Sequence, residues 1–370
     1  MKKLRAFLQR KDIVFSGKRY GIDALGAMAQ GLFCTLLVGT ILNTIGQQFA
    51  IGFLNEVIVT IGKGDGAVSY TIGGLASAMV GPGIAIAIGT ALHAPGLVLF
   101  SLIPVGFAAN AMGGAGGPLA VYFVAILACE CGKLVSKETK IDILVTPIIT
   151  ILAGIGFAAL VAAPIGTAAK AVGQAIMWAT DLQPFFMGII VSVLVGIALT
   201  LPISSAAICA SFGLVGLAGG AAVAGCCAQM VGFAVMSFRE NRWGGLVAQG
   251  VGTSMLQMPN IVKNPRIWIP PTLASAITGP LATCLFQLEM NDPGGGLASG
   301  MGTCGFVGQI GVYSGWANDI ATGAKAAITA TDWIALVLIC FVLPAILSWF
   351  FCLILRRWGW IKENDLKLNL

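Results

Sequence analysis

Charged residues are scarce in this sequence, and their scarcity limits what the protein can be. Only 10% of the 370 residues are Asp, Glu, Lys or Arg, whereas soluble domains contain roughly a quarter. Hydrophobic residues make up 57% of the chain and the mean hydropathy is +0.92. This composition excludes a soluble globular protein, and we expect the lipid bilayer as the surroundings and no nucleic acid as a partner.

Histidine is almost absent, and the cysteines do not form a metal motif. His93 is the only histidine, and Cys129 and Cys131 are separated by one residue, not by the two that zinc and redox sites favour. The glycine run Gly114–Gly117 lacks the strand and the lysine that a phosphate-binding loop requires. We therefore expect no metal, no cofactor and no self-contained catalytic site.

Long apolar runs are abundant, and many have the ~20 residues that a membrane-crossing helix needs. They predict an all-α polytopic membrane protein with about ten elements at membrane depth, on the length-and-hydropathy argument, including re-entrant hairpins. The predicted elements are Ile22–Phe53, Val68–Leu92, Ala94–Met112, Leu119–Cys131, Ile143–Val161, Phe185–Leu199, Gly213–Phe238, Pro270–Leu288 and Trp333–Leu355, with partial segments at Pro164–Met177 or Ser204–Phe212.

The basic residues predict the topology, because Lys and Arg collect in short cytoplasmic loops. They form five clusters, around residues 2–19, 133–140, 239–242, 263–266 and 356–367. Placing all five inside predicts cytoplasmic termini, with a basic amphipathic leader at 1–21, a membrane domain at 22–355 and a cytoplasmic tail at 356–370. The leader is expected to lie on the inner membrane surface, and a disordered basic tail is the alternative.

Breaks in the apolar runs carry polar residues at four places: beside His93, at Pro202–Ser205, within Gly252–Pro271, and in the Gly-rich stretch Asn291–Lys325, which is predicted as an insertion or a re-entrant loop. Irregular backbone at membrane depth is tolerated only where protein or a water-filled cavity satisfies its amide groups, so the breaks predict a solute site. Neutral donors and acceptors suit hydroxyl groups. The predicted solute contacts are Gln257, Asn260, His93, Ser204 and Ser205, and Lys263 and Arg266 are candidates for a phosphate or an anionic substrate.

Two of these candidates have a plainer interpretation. His93 could be a hydrogen-bonded loop histidine at a helix end, and Lys263 with Arg266 could be anchors at the inner face. Glu130 is expected to pair with Lys133, three positions later at the start of the adjacent basic cluster, or to snorkel to the membrane surface.

The order of several motifs resembles a known family. "LHAPGLVLF", "ILVTPIITILAGIGFAALVAAPIG", "LPISSAAICASFG", "GTSMLQMPNIVKNPRIWIPPTLASAITGP" and "NDPGGG" follow one another in this order, and the likeness covers most of the chain from about Ile22 onward. They resemble enzyme IIC, the membrane component of bacterial sugar phosphotransferase systems. The fructose branch of the glucose superfamily is most similar, and within it the stand-alone family that includes the perfringolysin O regulator PfoR.

The resemblance implies a homodimer in the bacterial cytoplasmic membrane, with a scaffold part and a substrate-carrying part that moves as an elevator. It also implies a sugar near two re-entrant hairpins and a separate cytoplasmic IIB protein as a partner.

Three motifs depart from the pattern that the resemblance implies. In the family's pattern a glutamate binds the sugar hydroxyl, and Gln257 is the residue nearest to that position here. A histidine is expected after Pro293, where this sequence has Gly294. Ser204 and Ser205 stand near positions that are Asn and Lys in the pattern. A carboxylate can accept the proton of an attacking hydroxyl, whereas an amide can only form hydrogen bonds. The departures weaken the prediction of coupled phosphorylation but keep that of a polyol-binding site.

Three functions follow from these observations. The first is an enzyme IIC-like protein that binds and translocates a small polar solute, most simply a sugar. The second is a non-transporting sensor of the PfoR type that reports ligand occupancy, and the third is transport of a non-sugar solute without phosphorylation.

Overall fold

The structure is a computed structural model that describes residues 2–62, 66–291 and 296–368. The predicted break at Pro293 and Gly294 lies outside the described residues. Helices dominate, and the strands Val59–Ile61 (β1) and Val68–Tyr70 (β2) form a small antiparallel hairpin in which Thr60 pairs with Ser69.

The α-helices are numbered in chain order. They are α1 Lys2–Arg10, α2 Ala24–Leu32, α3 Val38–Gln48, α4 Gly52–Asn55, α5 Ile72–Ala78, α6 Val80–Ala91, α7 Gly96–Gly113, α8 Gly117–Val135, α9 Asp142–Thr180, α10 Pro184–Thr200, α11 Ser205–Ser211, α12 Gly216–Met236, α13 Phe238–Val247, α14 Met258–Lys263, α15 Ile269–Pro280, α16 Val307–Thr322, α17 Ala330–Val337 and α18 Leu343–Arg357.

The apolar helices confirm the prediction of an all-α polytopic membrane protein. Among the described residues, five helical stretches are long and apolar enough to cross a bilayer, and a sixth is obtained if α5 and α6, bent by 53°, form one span. The five stretches are Arg19–Gln48, Gly96–Val135, Asp142–Thr180, Gly216–Met236 and Ala330–Arg357. Helix α10 is a shorter apolar helix. The elevator movement stays a prediction.

The stretch Gly96–Val135 folds back on itself. Its 40 residues would extend ~60 Å as one straight helix, twice the ~30 Å of a bilayer core. The chain turns instead at Gly114, where φ is +52°, a value that glycine adopts at little cost. Helices α7 and α8 then pack against each other.

One boundary in the predicted helix pattern is wrong. The sequence predicts Ile143–Val161 as one segment and Pro164–Met177 as one of two alternatives for a further partial segment, but both stretches belong to the 39-residue helix α9, which contains Pro147 and Pro164. Proline is tolerated in apolar membrane helices because neighbouring groups and local adjustments satisfy the freed backbone groups.

The chain divides into two compact units, Met1–Ala168 and Ala169–Leu370, and the division falls within α9. In the first unit α6 packs against α2, α7 and α8. Helices α6 and α7 approach closely at Gly81 and Gly106, where a Cβ atom on either residue would meet the carbonyl oxygen of the other. Small residues of this kind let helix backbones pack tightly in membranes.

In the second unit the core consists of α10, α12 and α15, which pack against one another. Helix α12 is central, since 89% of its apolar window is buried. The helices meet at glycines: a Cβ atom on Gly225 would meet the backbone of Ser192, and one on Gly279 would meet the backbone of Gly188. A polar side chain on α12 therefore has to find its partners inside the protein.

Candidate functional site

Gln229 is a polar residue in the middle of α12, and it is fully buried. Its Oε1 accepts hydrogen bonds from Trp268 Nε1 at 2.9 Å and from Thr200 Oγ1 at 3.3 Å, and its Nε2 donates to Thr272 Oγ1 at 3.3 Å. Thr200 Oγ1 is also 2.8 Å from Ser254 Oγ. We call these five residues the Gln229 cluster.

The cluster forms where helices end or break. Thr200 is the last residue of α10, directly before the predicted break at Pro202. Ser254 begins the 3-10 turn Ser254–Gln257, and Trp268 ends the 3-10 turn Pro265–Trp268. Two breaks that the sequence predicted separately, at Pro202 and within Gly252–Pro271, thus converge on one set of neutral polar groups. Gln229, Thr200 and Ser254 are fully buried, and Trp268 and Thr272 are half-buried.

Gln257 and Asn260 are joined in a second buried set. Gln257 is fully buried and its Nε2 donates to Gln249 Oε1 at 2.8 Å and to the carbonyl oxygen of Leu366 at 3.0 Å. Its Oε1 accepts from Asn260 Nδ2 at 2.8 Å, and the same Nδ2 donates to the carbonyl oxygen of Lys367 at 2.9 Å. We call Gln249, Gln257 and Asn260 the Gln257 cluster, and the turn Ser254–Gln257 connects it to the Gln229 cluster.

The partners of the Gln257 cluster include the end of the chain. Residues 358–368, which we call the C-terminal segment, fold back and are anchored by the buried side chains of Ile361, Leu366 and Leu368. The guanidinium of Arg266 lies 5.2 Å from the centre of the Trp360 ring, at a distance typical of cation–π contacts.

Two further asparagines hold the main chain of the C-terminal segment. Asn241 Nδ2 donates to the carbonyl oxygen of Leu366 at 2.8 Å, and the amide nitrogen of Leu368 donates to Asn241 Oδ1 at 2.8 Å. Asn264 Nδ2 donates to the carbonyl oxygen of Trp360 at 2.9 Å. Residues predicted as a cytoplasmic tail are therefore seated on the stretch Gly252–Pro271, which holds the predicted solute contacts Gln257 and Asn260.

The other predicted contacts in the second unit have different surroundings. Ser204 Oγ accepts from the amide nitrogen of Ala207 at 3.2 Å and so caps α11. Ser205 Oγ donates to the carbonyl oxygen of Gly300 at 2.7 Å. Lys263 ends α14 with its side chain exposed, and is not part of either cluster.

His93 belongs to the first unit, and its surroundings fit the plainer interpretation of it. It follows α6 with a φ of +56°, and its side chain is 75% exposed. Its Nδ1 lies 3.1 Å from Asp12 Oδ2, which also forms a 2.6 Å ion pair with Arg19. The hydrogen bond from the Arg19 guanidinium, and that from His93, hold the pKa of Asp12 well below its ordinary value.

Lys133 fixes the leader to the first unit. It is 1% exposed, and its Nζ donates to the carbonyl oxygen of Asp12 at 2.7 Å and to that of Leu92 at 3.0 Å. It also lies 3.3 Å from Glu130 Oε2, which confirms the predicted pairing. A cavity of about 410 Å³ opens beside these groups, and among its lining residues are Arg10, Lys11, Asp12, His93, Lys133 and Lys137.

Sequence reasoning missed the Gln229 cluster, although a signal was present. Gln229 stands alone as a strongly polar residue in "GLAGGAAVAGCCAQMVGFAVM", the sequence of α12. A polar residue inside a membrane helix is expensive to bury and is a candidate functional residue by default. The C-terminal segment carried no comparable signal.

Both clusters consist of neutral hydrogen-bonding groups, so they can bind hydroxyl groups but cannot accept a proton as a carboxylate does. Residues 22–368 match the family model described as "Phosphotransferase system, EIIC". No curated protein and no solved structure matches the chain. The match covers nearly the whole sequence, and the chain therefore belongs to the phosphotransferase system EIIC family of membrane sugar-transport components.

Proposed function

We propose that this protein binds a small polar solute, most simply a sugar, at the Gln229 and Gln257 clusters and carries it across the bacterial cytoplasmic membrane. The observation that supports this is the convergence of broken helices on buried neutral donors and acceptors. Transporters place their solute sites at discontinuous helices near the middle of the bilayer.

The chemistry of the clusters matches that of a polyol. A sugar hydroxyl both donates and accepts hydrogen bonds. Each hydrogen bond that Gln229, Thr200 and Ser254 make within the protein could therefore be exchanged for one to a sugar hydroxyl. Trp268 supplies an indole face for the apolar side of a sugar ring and an N–H donor at its edge. We also keep Gln257 and Asn260 as solute contacts, and His93, Ser204, Ser205 and Lys263 as candidates that lie outside the two clusters.

The amide of Gln257 can hydrogen-bond a solute for translocation but cannot assist its phosphorylation. A phosphoryl acceptor hydroxyl has to lose a proton, and the amide of Gln257 cannot accept it. We therefore propose that translocation does not require phosphorylation of the solute. The protein would act as a homodimer with cytoplasmic termini, and a separate IIB protein is a candidate partner.

Uptake of labelled sugars into proteoliposomes without phosphotransferase components tests the proposal. We expect uptake by the unaltered protein, loss of uptake in Gln257→Ala, and unchanged uptake in Gln47→Ala, which removes an exposed amide at the end of α3. Retention of full uptake in Gln257→Ala would remove this residue from the site.

The docked C-terminal segment favours a second candidate, the non-transporting sensor. Occupation of the Gln257 cluster by a solute would displace main-chain carbonyls of the segment and so change the surface presented to a regulator. Specific binding of a sugar without uptake in the same vesicles would select the sensor over the transporter.

A further inference from the structure

Four amide side chains of the second unit recognise the C-terminal segment by its main chain. Asn241, Gln257, Asn260 and Asn264 each donate to a carbonyl oxygen of the segment, at 2.8, 3.0, 2.9 and 2.9 Å. We call these four residues the amide row. Main-chain recognition of this kind is how proteins bind extended peptides, with side-chain pockets adding selectivity.

We propose that the amide row is a peptide-binding groove whose occupant is this chain's own C-terminal segment, and that solute and segment compete for it. The inference rests on the proposed function, since the solute is placed at Gln257. It adds a ligand class, an extended peptide with apolar anchors, and a means of regulating access to the site.

The side-chain amide hydrogens of Gln257 and Asn260 are all in use, and half of them are bound to the C-terminal segment. A side-chain amide nitrogen carries two hydrogens. Those of Gln257 Nε2 are used by Gln249 Oε1 and the Leu366 carbonyl, and those of Asn260 Nδ2 by Gln257 Oε1 and the Lys367 carbonyl. A solute hydroxyl can accept from either nitrogen only after one of these acceptors has left.

The C-terminal segment is attached in a way that permits release. Its anchors are three apolar side chains, Ile361, Leu366 and Leu368, while Lys362 and Lys367 are exposed. Among the described residues, an ion pair joins the segment to the rest of the unit, between Arg239 and Glu363 at 3.5 Å; it is exposed on both sides and adds little, as surface pairs do. The remaining attachments are the exposed contact of Arg266 with the Trp360 ring and hydrogen bonds for which hydroxyl groups can substitute.

A direct test is binding of the segment in trans. The probe is a fluorescent synthetic peptide, "WGWIKENDLKLNL", which covers residues 358–370. The protein is truncated after Arg357, and binding is followed by fluorescence anisotropy. We expect the truncated protein to bind the peptide at least tenfold more tightly than a scrambled peptide, and the full chain to bind it at least tenfold more weakly because its groove is occupied.

Matched variants identify the groove. In the truncated protein, Asn260→Ala with Asn264→Ala should weaken peptide binding tenfold or more, whereas Gln47→Ala should leave it unchanged. If the truncated protein does not fold, Leu366→Asp in the full chain replaces it, and faster hydrogen–deuterium exchange of residues 360–368 is then the expected result. Unchanged exchange in that variant, or equal binding of the peptide by the full chain and the truncated protein, would overturn the groove.

The regulatory part has its own readout. Truncation should raise the initial rate of sugar uptake severalfold, and the free peptide should reverse the increase. Peptide binding without any sugar uptake would support the peptide-binding groove and refute the proposed transport. Equal uptake by the full chain and the truncated protein would refute the competition while leaving transport intact.

Discussion

Changing Gln257 to glutamate tests the role of its amide without changing the size of the side chain. The Nε2 group that donates to Gln249 Oε1 at 2.8 Å and to the Leu366 carbonyl at 3.0 Å becomes a carboxylate oxygen facing two acceptors. Only the bond to the Leu366 carbonyl joins Gln257 to the C-terminal segment, so its loss at ~1 kcal/mol and burial of an unpaired acceptor at ~2 kcal/mol disfavour docking by roughly 3 kcal/mol. At 1.4 kcal/mol per tenfold, the docked form of the C-terminal segment should become roughly a hundredfold less populated relative to the released form.

Hydrogen–deuterium exchange measures this release directly. The amide hydrogen of Leu368 is bound to Asn241 Oδ1 across the docking contact, so it is protected while the segment is docked. We expect its exchange to accelerate strongly in Gln257→Glu and to stay unchanged in Gln47→Glu, which makes the same change at an exposed amide. Equal protection in Gln257→Glu and the unaltered protein would refute the role assigned to the amide.

Three further predictions concern packing and charge in the individual units. Lys133→Met should lower the free energy of unfolding by ~3–5 kcal/mol, because it removes the cationic partner of the largely buried Glu130 carboxylate and the donor to the carbonyl oxygens of Asp12 and Leu92. Thermal unfolding in detergent should show a large decrease that the exposed control Lys140→Met lacks. Gly225→Ala should lower the melting temperature because its Cβ atom would meet the backbone of α10, whereas Gly156→Ala, with open space around it, should not. Asp12 has a lower pKa in the folded protein than in the unfolded chain, where the ordinary pKa of 3.8 applies. Its ionised side chain therefore stabilises the folded protein above pH 3.8, and this stabilisation is lost as the pH falls below 3.8. The melting temperature of Asp12→Asn should therefore lie below that of the unaltered protein at pH 6, and the difference should shrink as the pH falls below 3.8; a constant difference would contradict the assignment.

Hydropathy predicted the helices whose ends coincide with polar or turn-forming residues. Phe185–Leu199 was predicted and α10 spans Pro184–Thr200, because Pro184 begins the helix and Pro202 follows its end. Pro164 misled the prediction, since a proline within a long apolar helix need not end it. The glycine-rich stretch after Asn291 was predicted as an insertion or a re-entrant loop, and part of it, Val307–Thr322, is helical.

The candidate site was predictable only where its contacts are local. Gln257 and Asn260 are three positions apart, a spacing that brings side chains together on a helical turn. The bond from Gln257 to Leu366 joins residues 109 positions apart, and no periodic pattern encodes such a pairing. The same holds for Gln229, whose partners Thr200 and Trp268 lie on different elements.

Counterflow in proteoliposomes tests the central claim most directly, because it detects translocation without requiring a coupling ion or a phosphoryl donor. Vesicles are loaded with an unlabelled sugar, and entry of the same labelled sugar from a dilute outer solution is followed for a panel of sugars. We predict transient accumulation of at least one sugar by the unaltered protein and by Gln47→Ala, and none by Gln229→Ala. Accumulation no higher than in protein-free vesicles, for every sugar that binds, would contradict a transport function.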